Sequence, residues 1–268
     1  MKVVIFCGGQ GLRLRDYSEN TPKPMVPVGY RPIIWHLMKY YAHYGHKEFI
    51  LCLGYRADAI KDYFLNYNEC VTNDFVLSGG GRNLKMLGTD IEDWKITFVD
   101  TGTESKIGER LMAVRDYLGD DEMFMANYAD CLTDAPLPAM IDTFEKSGKL
   151  ASFLSVRPGY SWHAVNVAED GTVIDLIDAD KTSVWINGGY LIFRREALDY
   201  FEAGDDIVPT VFRKLAAEQK LMSHRHNGFW ACMDTFKEKM TLDDLHAHDK
   251  APWQVWRVPK TKPTKRSA

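Results

Sequence analysis

A glycine-rich loop follows the first apolar segment of the chain. It reads GGQGLRLRDYSENTPKPM over residues 8–25. Its glycines can adopt backbone angles that let bare N–H groups converge on an anion. Arg13 and Lys23 supply positive charge in the same loop, and a proline on each side holds Lys23 in an extended segment. The loop therefore predicts binding of a polyphosphate; the alternative is an ordinary glycine turn with solvated charges.

The spacing of this loop differs from two common phosphate-binding motifs. It reads GGxGxR, which is neither the GxGxxG of a dinucleotide-binding turn nor a P-loop that ends in GK[ST]. If the loop binds a nucleotide, its first five residues supply the contacts. These candidate nucleotide-binding residues are Gly8, Gly9, Gln10, Gly11 and Leu12.

Two aspartates follow apolar runs in distant parts of the chain. Asp130 lies in NYADCLTD, with Asp134 nearby, and Asp234 lies near the end of FWACMDT. Mg²⁺ takes carboxylate oxygens and binds against substrate phosphates without a dedicated protein cage. We therefore predict that Asp130 and Asp234 together hold Mg²⁺. The alternatives are a turn-initiating aspartate at Asp130 and a helix cap at Asp234.

The elements that must position these residues alternate between strands and helices. Continuous apolar runs, typical of buried strands, occur at 3–6, 49–53, 96–99, 123–126, 151–156 and 190–193. Helical periodicity lies between them, first from Ile33 to Tyr41 and then from Ala57 to Phe64. The pattern predicts an α/β fold, a Rossmann-like, mostly parallel sheet with helices on both faces. Such sheets bind ligands beyond the carboxyl ends of their strands, where the glycine loop and Asp130 fall.

The domain organisation is simple. We predict one α/β domain over residues 1–245, interrupted by an irregular segment at about 66–94 that contains three consecutive glycines. Residues 246–268 form a C-terminal extension, whose basic and proline-punctuated end is expected to be disordered. Segment 66–94, together with Trp253 and Trp256 of the extension, is hard to bury within a single α/β domain. These parts therefore indicate contacts between subunits.

Composition limits the class of protein. The chain has 268 residues, 46% of them hydrophobic, which suffices for one sizeable core. No apolar run reaches the roughly 18 residues of a membrane span, and the first residues lack a signal-peptide pattern. The net charge of −4 gives no electrostatic footprint for nucleic acid. Five scattered cysteines without a CxxC pair indicate reduced thiols, so we expect a cytoplasmic protein that binds neither membrane nor nucleic acid.

The motifs taken together resemble a known family. GGQGLRL with KPM, YADCLTD, INGGY and FWACMDT are similar to the motifs of the sugar-1-phosphate nucleotidyltransferases. PIIWHLMKYY, DWKITFVDTG and DKAPWQVW resemble the cytidylyl-transferring branch of that family. The resemblance implies the nucleotide-diphospho-sugar transferase type of fold, Mg²⁺ dependence and a homo-oligomer. It also implies transfer of CMP from CTP to a phosphorylated small molecule, by the family pattern glucose 1-phosphate, with release of pyrophosphate.

The resemblance also implies roles for individual residues. The glycine loop would cradle the triphosphate, and Arg13 and Lys23 would act as catalytic residues by neutralising its charge. Asp130 and Asp234 would bind Mg²⁺. The residues implied for the nucleotide pocket are Gly102, Gly108 and Arg110. The residues implied for the sugar phosphate are Tyr128, Asn187 and Gly188.

The acceptor side departs from the family pattern. Family members carry an E-K-P motif that contacts the sugar and its phosphate, whereas this chain has Asp178, Ala179 and Asp180 at the matching positions. Lys181 is a candidate replacement for the lost lysine. His163, in YSWHA, occupies a glycine position of the family, unless the alignment shifts by one residue. We therefore count Asp178, Lys181 and His163 among the candidate substrate-binding residues.

Two further departures lie on the nucleotide side. Leu12 replaces a hydroxyl residue in the glycine loop, and Cys131 replaces a glycine beside Asp130. Cys131 and Cys232 are either small buried residues or ligands of a softer metal.

The identity of the acceptor and the class of protein both stay open at this point. The acceptor is either a hexose 1-phosphate, or another sugar phosphate, or a small phosphate or phosphonate. The chain is alternatively a non-catalytic nucleotide-binding regulatory homologue. A metal-dependent glycosyltransferase would carry a D-x-D motif, which YADCLTD lacks.

Overall fold

The computed structural model describes residues 1–9, 21–159 and 163–257, and for Asp180 it describes the backbone alone. The predicted site residues Gln10, Gly11, Leu12 and Arg13 lie outside the described residues, as does the predicted disordered tail from residue 258 onward.

Strands and helices alternate along the described chain. The strands are β1 (Val3–Phe6), β2 (Pro27–Val28), β3 (Arg31–Pro32), β4 (Glu48–Leu53), β5 (Phe75–Ser78), β6 (Asn83–Met86), β7 (Lys95–Asp100), β8 (Met123–Tyr128), β9 (Cys131–Thr133), β10 (Ala151–Val156), β11 (His163–Val167), β12 (Val173–Asp178), β13 (Ile186–Asn187), β14 (Leu191–Arg194), β15 (Leu221–His226) and β16 (Trp230–Cys232). The α-helices are α1 (Ile33–His43), α2 (Ala57–Leu65), α3 (Ile107–Ala113), α4 (Leu137–Ser147), α5 (Arg213–Ala217) and α6 (Phe236–Ala247). A π-helical stretch, Ile207–Phe212, leads into α5.

The central sheet has eight strands. Seven follow one another in the order β13-β10-β14-β8-β1-β4-β7, and β15 pairs in parallel with β10. The pairs joining β8, β1, β4 and β7 are parallel, whereas β14 and β13 run antiparallel to their neighbours. The predicted mostly parallel sheet is confirmed, and each of the six apolar runs contributes a strand to it.

Helices cover both faces of the sheet, as predicted. One core packs the odd-numbered side chains of β1 and β4 against α1, α4 and α6. The other packs the intervening side chains of the same strands against α3 and the stretch from Ile207 to α5. Strands β1 and β4 read as continuous apolar runs because their apolar side chains are buried on both faces of the sheet.

Segment 66–94 forms an exposed hairpin rather than a wholly irregular excursion. Strands β5 and β6 pair antiparallel, and the three glycines of their turn all have positive φ, which a glycine adopts without strain. The hairpin face that carries Leu77 and Leu84 is solvent-exposed within one chain. The predicted limit at residue 245 stays a prediction, and α6 runs past it to Ala247.

The expectation that Trp253 is hard to bury within one domain was wrong. Trp253 is fully buried, packs its ring against Phe229 and donates its indole N–H to His36 Nδ1 at 3.3 Å. The segment after α6 returns over α1, so the chain itself supplies the cover that we expected from a second subunit.

The helices in the described ranges are all too short or too polar to cross a lipid bilayer. The five cysteines are free thiols.

Candidate active site

Four parallel strands end at the same edge of the sheet and bring their following loops together. Gly8 follows β1, Gly54 follows β4, Thr101 follows β7, and Tyr128 ends β8. This edge is the carboxyl edge, where open α/β sheets bind their ligands. The glycine loop therefore begins in the predicted crevice.

Arg110 ties three of these loops to one another. Its side chain is 2% exposed and projects from α3 beneath the strand ends. One terminal nitrogen donates to the Leu53 carbonyl at 3.1 Å and to Thr101 Oγ1 at 2.8 Å. The other donates to the carbonyls of Gly8 at 3.2 Å and Thr103 at 3.1 Å. All four N–H bonds of the two terminal nitrogens point at protein oxygens, so Arg110 positions the crevice loops from below.

Gly8 is a glycine because Arg110 lies against it. A Cβ added at Gly8 would lie 1.9 Å from Arg110 Nη1, and one at Gly54 would lie 2.8 Å from the same atom. An added Cβ at Gly9, by contrast, meets nothing within 4 Å, so Gly9 borders open space. Gly8 and Gly9 thus have different roles. Gly8 leaves room for the Arg110 guanidinium, and Gly9 borders the crevice.

The structure separates the two other predicted nucleotide-pocket glycines. Gly102 lies at the carboxyl edge, with φ of +86°, and its N–H donates to Asp100 Oδ1 at 3.0 Å. Gly108 lies in the first turn of α3, where an added Cβ would lie 2.4 Å from the Asp205 carbonyl oxygen. Gly108 therefore allows close packing of α3 against another segment.

Lys23 joins the two predicted metal aspartates. Its Nζ lies 2.5 Å from Asp130 Oδ2 and 2.5 Å from Asp234 Oδ1. Lys23 begins a single 3₁₀ turn with a proline at its second position. Asp130 lies between β8 and β9, Asp234 lies between β16 and α6, and β9 pairs antiparallel with β16. Three segments that are far apart in sequence thus place one ammonium group between two carboxylates.

The Lys23 side chain remains a cation in this setting. Burial alone would lower its pKa, but the charges and hydrogen bonds of Asp130 and Asp234 outweigh that effect and raise the pKa above its ordinary value. Two carboxylates that converge on one cation suit Mg²⁺, which completes its coordination with waters and substrate phosphates. Among the described residues, no three side chains of the His, Cys, Asp or Glu types gather into a closed metal cage.

A capping box orients Asp234. Glu238 accepts hydrogen bonds from the backbone N–H groups of Asp234 and Thr235, both at 2.8 Å, and Thr235 Oγ1 accepts from Glu238 N. The N-cap of α6 is therefore Thr235. The alternative that Asp234 is the helix cap was wrong, and its carboxylate is directed to Lys23 instead.

Two thiols contact the same carboxylates. The Cys131 thiol donates to Asp130 Oδ1 at 3.3 Å, and the Cys232 thiol donates to Asp234 Oδ2 at 3.5 Å. Burial raises the pKa of Cys131, and it raises the pKa of Cys232 to about 12. Both groups are therefore protonated donors at neutral pH.

Asp134 does not join the Lys23 pair. Its Oδ1 lies 2.7 Å from His226 Nε2 and accepts from the Phe229 N–H at 2.8 Å. Asp134 therefore fixes the turn between β15 and β16. Asp234 follows β16, two residues after its end. Sequence analysis missed this pair because His226 lies outside the motifs that it singled out.

A buried asparagine, Asn127, joins the predicted acceptor residue Tyr128 to the backbone that follows Asn187 and Gly188. Asn127 is fully buried, and its Oδ1 accepts from the N–H groups of Tyr128 at 2.9 Å and Tyr190 at 3.0 Å. Asn187 Oδ1 accepts from the Gly189 N–H at 2.9 Å. Sequence analysis did not single out Asn127 as a residue that orders the acceptor side. A polar residue near the end of an apolar strand is nevertheless a signal for a buried hydrogen-bonding role of this kind.

Tyr128 ends β8 and Asn187 ends β13, at the same edge of the central sheet. Burial raises the pKa of Tyr128 to about 12, so the phenol is neutral in the physiological range. The Gly188 carbonyl accepts from Trp230 Nε1 at 2.8 Å, and an added Cβ at Gly188 would lie 3.0 Å from that nitrogen. The glycine therefore permits close approach of the tryptophan on β16.

The departures from the family pattern form a separate group. His163 pairs with Asp178 across β11 and β12, with His163 Nε2 3.2 Å from Asp178 Oδ1. Lys181 Nζ binds the other oxygen of Asp178. The Lys181 ammonium first, and then His163, lower the pKa of Asp178. The three predicted residues are thus brought together, on an exposed hairpin that carries its own charge pair.

Comparison with known proteins shows what this chain resembles. The family model described as Nucleotidyl transferase matches residues 2–237. The glucose-1-phosphate cytidylyltransferase of Salmonella typhi is 36% identical over 261 residues, which are 96% of this chain and all of that protein. The probable glucose-1-phosphate cytidylyltransferase of Bacillus subtilis is 34% identical over 258 residues, with the same two coverages. The solved UDP-glucose pyrophosphorylase with UDP-glucose matches with a TM-score of 0.67 at 15% identity, over 92% of this chain and 98% of that chain; this likeness supports the fold alone.

Proposed function

Because the chain belongs to the nucleotidyl transferase family, we propose that it transfers CMP from CTP to glucose 1-phosphate, giving CDP-glucose and pyrophosphate. One observation carries this proposal: glucose-1-phosphate cytidylyltransferases are 34% and 36% identical to 96% of the chain and match over their whole length. The chain is accordingly a nucleotidyltransferase enzyme.

The reaction needs positioning and charge more than acid–base chemistry. A phosphate oxygen of the acceptor attacks the α-phosphorus of CTP, a new P–O bond forms, and the bond to pyrophosphate breaks. The attacking phosphate is already an anion and requires no strong general base. In this proposal the Lys23 ammonium holds phosphate oxygens next to the reacting phosphorus, and Arg13 of the glycine loop shares the charge.

Asp130 and Asp234 are the residues that would hold Mg²⁺. The bound ion supplies charge neutralisation and orientation of the triphosphate. The fit of the site rests on the convergence of both carboxylates on the Lys23 ammonium. In the substrate complex Lys23 would exchange at least one of these carboxylates for a phosphate oxygen.

The part of the site that would bind the nucleotide lies over the Arg110 guanidinium, which contacts the start of the glycine loop. Arg110 bonds the Gly8 carbonyl, and this contact holds the first residue of the loop in place before CTP arrives. We assign Gly9, Gly102 and the remainder of the loop (Gln10, Gly11, Leu12) to contacts with CTP. Arg110 and Gly108 act on these contacts through the backbone.

One observation favours an alternative acceptor in place of glucose 1-phosphate. The acid and lysine that contact the sugar phosphate in the family pattern are replaced here, and Lys181 is bound by Asp178 with His163 beside them. An acceptor other than glucose 1-phosphate would meet this group. Tyr128, Asn187 and Gly188 would face the acceptor in either case.

A homo-oligomer and a cytoplasmic location complete the proposal. The hairpin β5–β6 exposes an apolar face, and beside it lies a groove of about 1270 Å³ lined by residues such as Trp35, Trp256 and Phe75. Large exposed apolar patches mark interaction sites. A cytoplasmic location agrees with a substrate that is a nucleoside triphosphate.

The test is pyrophosphate release by the purified full chain with Mg²⁺. CTP, UTP, dTTP and ATP are each offered with hexose 1-phosphates, amino-sugar phosphates and small phosphonates. Release with CTP and glucose 1-phosphate supports the first proposal. Release with CTP and only another acceptor supports the second. Binding of CTP without release from any pair would contradict both and favour a regulatory homologue.

A further inference from the structure

Two cysteines lie side by side next to the Lys23 carboxylates. Cys131 on β9 is the register partner of Cys232 on β16 in a two-stranded antiparallel ladder. Residues directly opposite each other in such a ladder point to the same face. Cys131 is 5% exposed and Cys232 is 8% exposed, and neither is in a disulfide.

The hydrogen-bond pattern brings this pair close together. Next to the cysteines in the ladder, Asp130 lies opposite Met233. These two residues form a hydrogen-bonded pair, since Met233 N donates to the Asp130 carbonyl at 3.0 Å. Hydrogen-bonded and non-hydrogen-bonded pairs alternate in an antiparallel ladder, so Cys131 and Cys232 form a non-hydrogen-bonded pair. Such pairs have Cα atoms about 4.5 Å apart. Disulfides accept Cα separations of about 4.4–6.8 Å, so the strands already hold the two residues within bonding range.

The other three cysteines have no comparable partner. Cys7 directly follows β1 and Cys52 is on the neighbouring β4, but their side chains pack on opposite sides of the sheet, each in a different core. Cys70 lies in the 66–94 segment, where its sulfur contacts Met86 at 3.7 Å. The pairing of β9 with β16 therefore singles out one of the ten possible cysteine pairs.

We propose that Cys131 and Cys232 form a reversible disulfide that lowers the activity of the adjacent site. The oxidant is hydrogen peroxide. Burial keeps both thiols mostly protonated at neutral pH, so the step proceeds slowly, through the small fraction in which one thiol has lost its proton. That thiolate takes an oxygen from peroxide as the O–O bond breaks, which gives a sulfenic acid and, with the released proton, water. The second sulfur then attacks the first, the S–S bond forms, and a second water leaves. Two thiols are thereby oxidised, one peroxide is reduced, and a dithiol reductant reverses the change.

The consequence for activity follows from what the thiols contact. Each thiol donates a hydrogen bond to one of the two carboxylates that converge on Lys23. The disulfide has no S–H bonds, so both carboxylates lose a donor when the sulfurs join. Loss of a hydrogen-bond partner behind a metal ligand typically costs 10–100-fold in metal affinity or activity. We expect the Mg²⁺ concentration for half-maximal activity to rise about tenfold; this part rests on the proposed function.

The first test asks where the disulfide forms. The Cys70→Ser chain, which lacks the cysteine that is not buried, is treated with peroxide, denatured, alkylated and mapped by mass spectrometry. The expected product is one linked peptide pair that carries Cys131 and Cys232, two hydrogens lighter than the sum of its parts and separated by dithiothreitol. Full alkylation of both cysteines after the treatment, or their linkage to other cysteines, would overturn the proposal. The native chain is mapped in parallel.

The second test measures activity before and after peroxide. The variant with Cys131→Ser and Cys232→Ser keeps an O–H donor for each carboxylate and cannot form the bond. Its activity is compared with its own untreated value and is expected to resist peroxide, whereas the Cys70→Ser chain loses activity and regains it with dithiothreitol. An unchanged Mg²⁺ requirement in the oxidised Cys70→Ser chain would contradict the regulatory part. If no preparation shows cytidylyl transfer, the proposed function fails, while the peptide map still decides the disulfide.

Discussion

Lys23 holds together two carboxylates from distant parts of the chain. Without a cation between them, Asp130 and Asp234 would repel each other in a partly buried setting. In the proposed reaction the same ammonium would bind a phosphate oxygen when substrate enters, and both carboxylates would then hold the metal ion. One residue thus serves the free protein as a counter-ion and the proposed reaction as a charge donor.

Replacement of Lys23 tests this double role. Lys23→Met removes the charge and keeps most of the apolar stem, so we expect turnover to fall by about 10²–10³-fold, the range for loss of one preorganised charge contact. Pyrophosphate release at saturating substrate measures it. Lys47→Met is the matched control, because Lys47 pairs with Asp93 on the surface. Turnover within twofold of the native value would refute the role of Lys23.

Arg110 acts on the site without facing it. Arg110→Lys keeps a positive charge, but a compact ammonium cannot reach four acceptors on separate loops as a guanidinium does. We expect the KM for CTP to rise at least about tenfold, and the free energy of unfolding to fall by about 1–3 kcal/mol per carbonyl left unpaired. Steady-state kinetics and urea unfolding measure the two effects. Arg115→Lys, at an exposed pair with Asp199, serves as the control; an unchanged KM would exclude a positioning role.

Helix α1 and the segment after α6 are joined through a buried histidine. His36 is 1% exposed; its Nε2 lies 2.9 Å from the Val28 carbonyl oxygen, and its Nδ1 accepts from Trp253. This arrangement suits the neutral tautomer with hydrogen on Nε2. Burial lowers the pKa of His36 to about 4. The contact therefore depends on an uncharged ring.

The pH dependence of stability follows from this shift. The unfolded chain takes up a proton near pH 6.5, the ordinary histidine pKa, while the folded chain resists it until about pH 4. The stability present above pH 6.5 is therefore lost as the pH falls toward 4, by up to about 3 kcal/mol for this one group. Urea unfolding at pH 7.5 and pH 5 measures the loss. His36→Gln, which cannot titrate, should lose less than the native chain, and His248→Gln, at an exposed position, should match the native loss; equal losses in all three would contradict the assignment to His36.

Whether an element was predictable from the sequence depended on how its residues are buried. All six continuous apolar runs became strands of the central sheet. In five of them burial on both faces explains the unbroken apolar signal, whereas β7, at the edge of the sheet, is only partly buried. The strand β15 reads LMSHRH and carries no such signal, because four of its six residues are polar. Its place beside β10 depends on pairing with a distant segment, which local sequence does not reveal.

The candidate site shows the same limit. Asp130, Asp234 and Lys23 each stood out by motif, and the structure brings them together. The oxygens that Arg110 binds are mostly backbone carbonyls, which every residue possesses, so no side-chain pattern marks them. The Cys131–Cys232 register was equally hidden, because it depends on the pairing of two short strands.

The hairpin β5–β6 is the proposed contact between subunits. A two-stranded hairpin is marginally stable alone in water, yet this one presents Phe75, Leu77 and Leu84 at 42%, 57% and 53% exposure. Leu77 and Leu84 are register partners on one face, so they form a contiguous apolar surface. A second copy of the chain that covers this face would stabilise the hairpin by removing these apolar side chains from water.

We therefore expect the purified chain to be an oligomer that loses mass when this face is made polar. Leu77→Ser with Leu84→Ser should shift the mass measured by light scattering toward one subunit. Each subunit should stay folded, because both side chains are exposed within a single chain and contribute little to its core. Leu65→Ser on α2, at 81% exposure, is the control for a general loss of surface apolarity and should leave the mass unchanged. A native chain that is already monomeric, or a double variant of native mass, would refute the hairpin as the subunit contact.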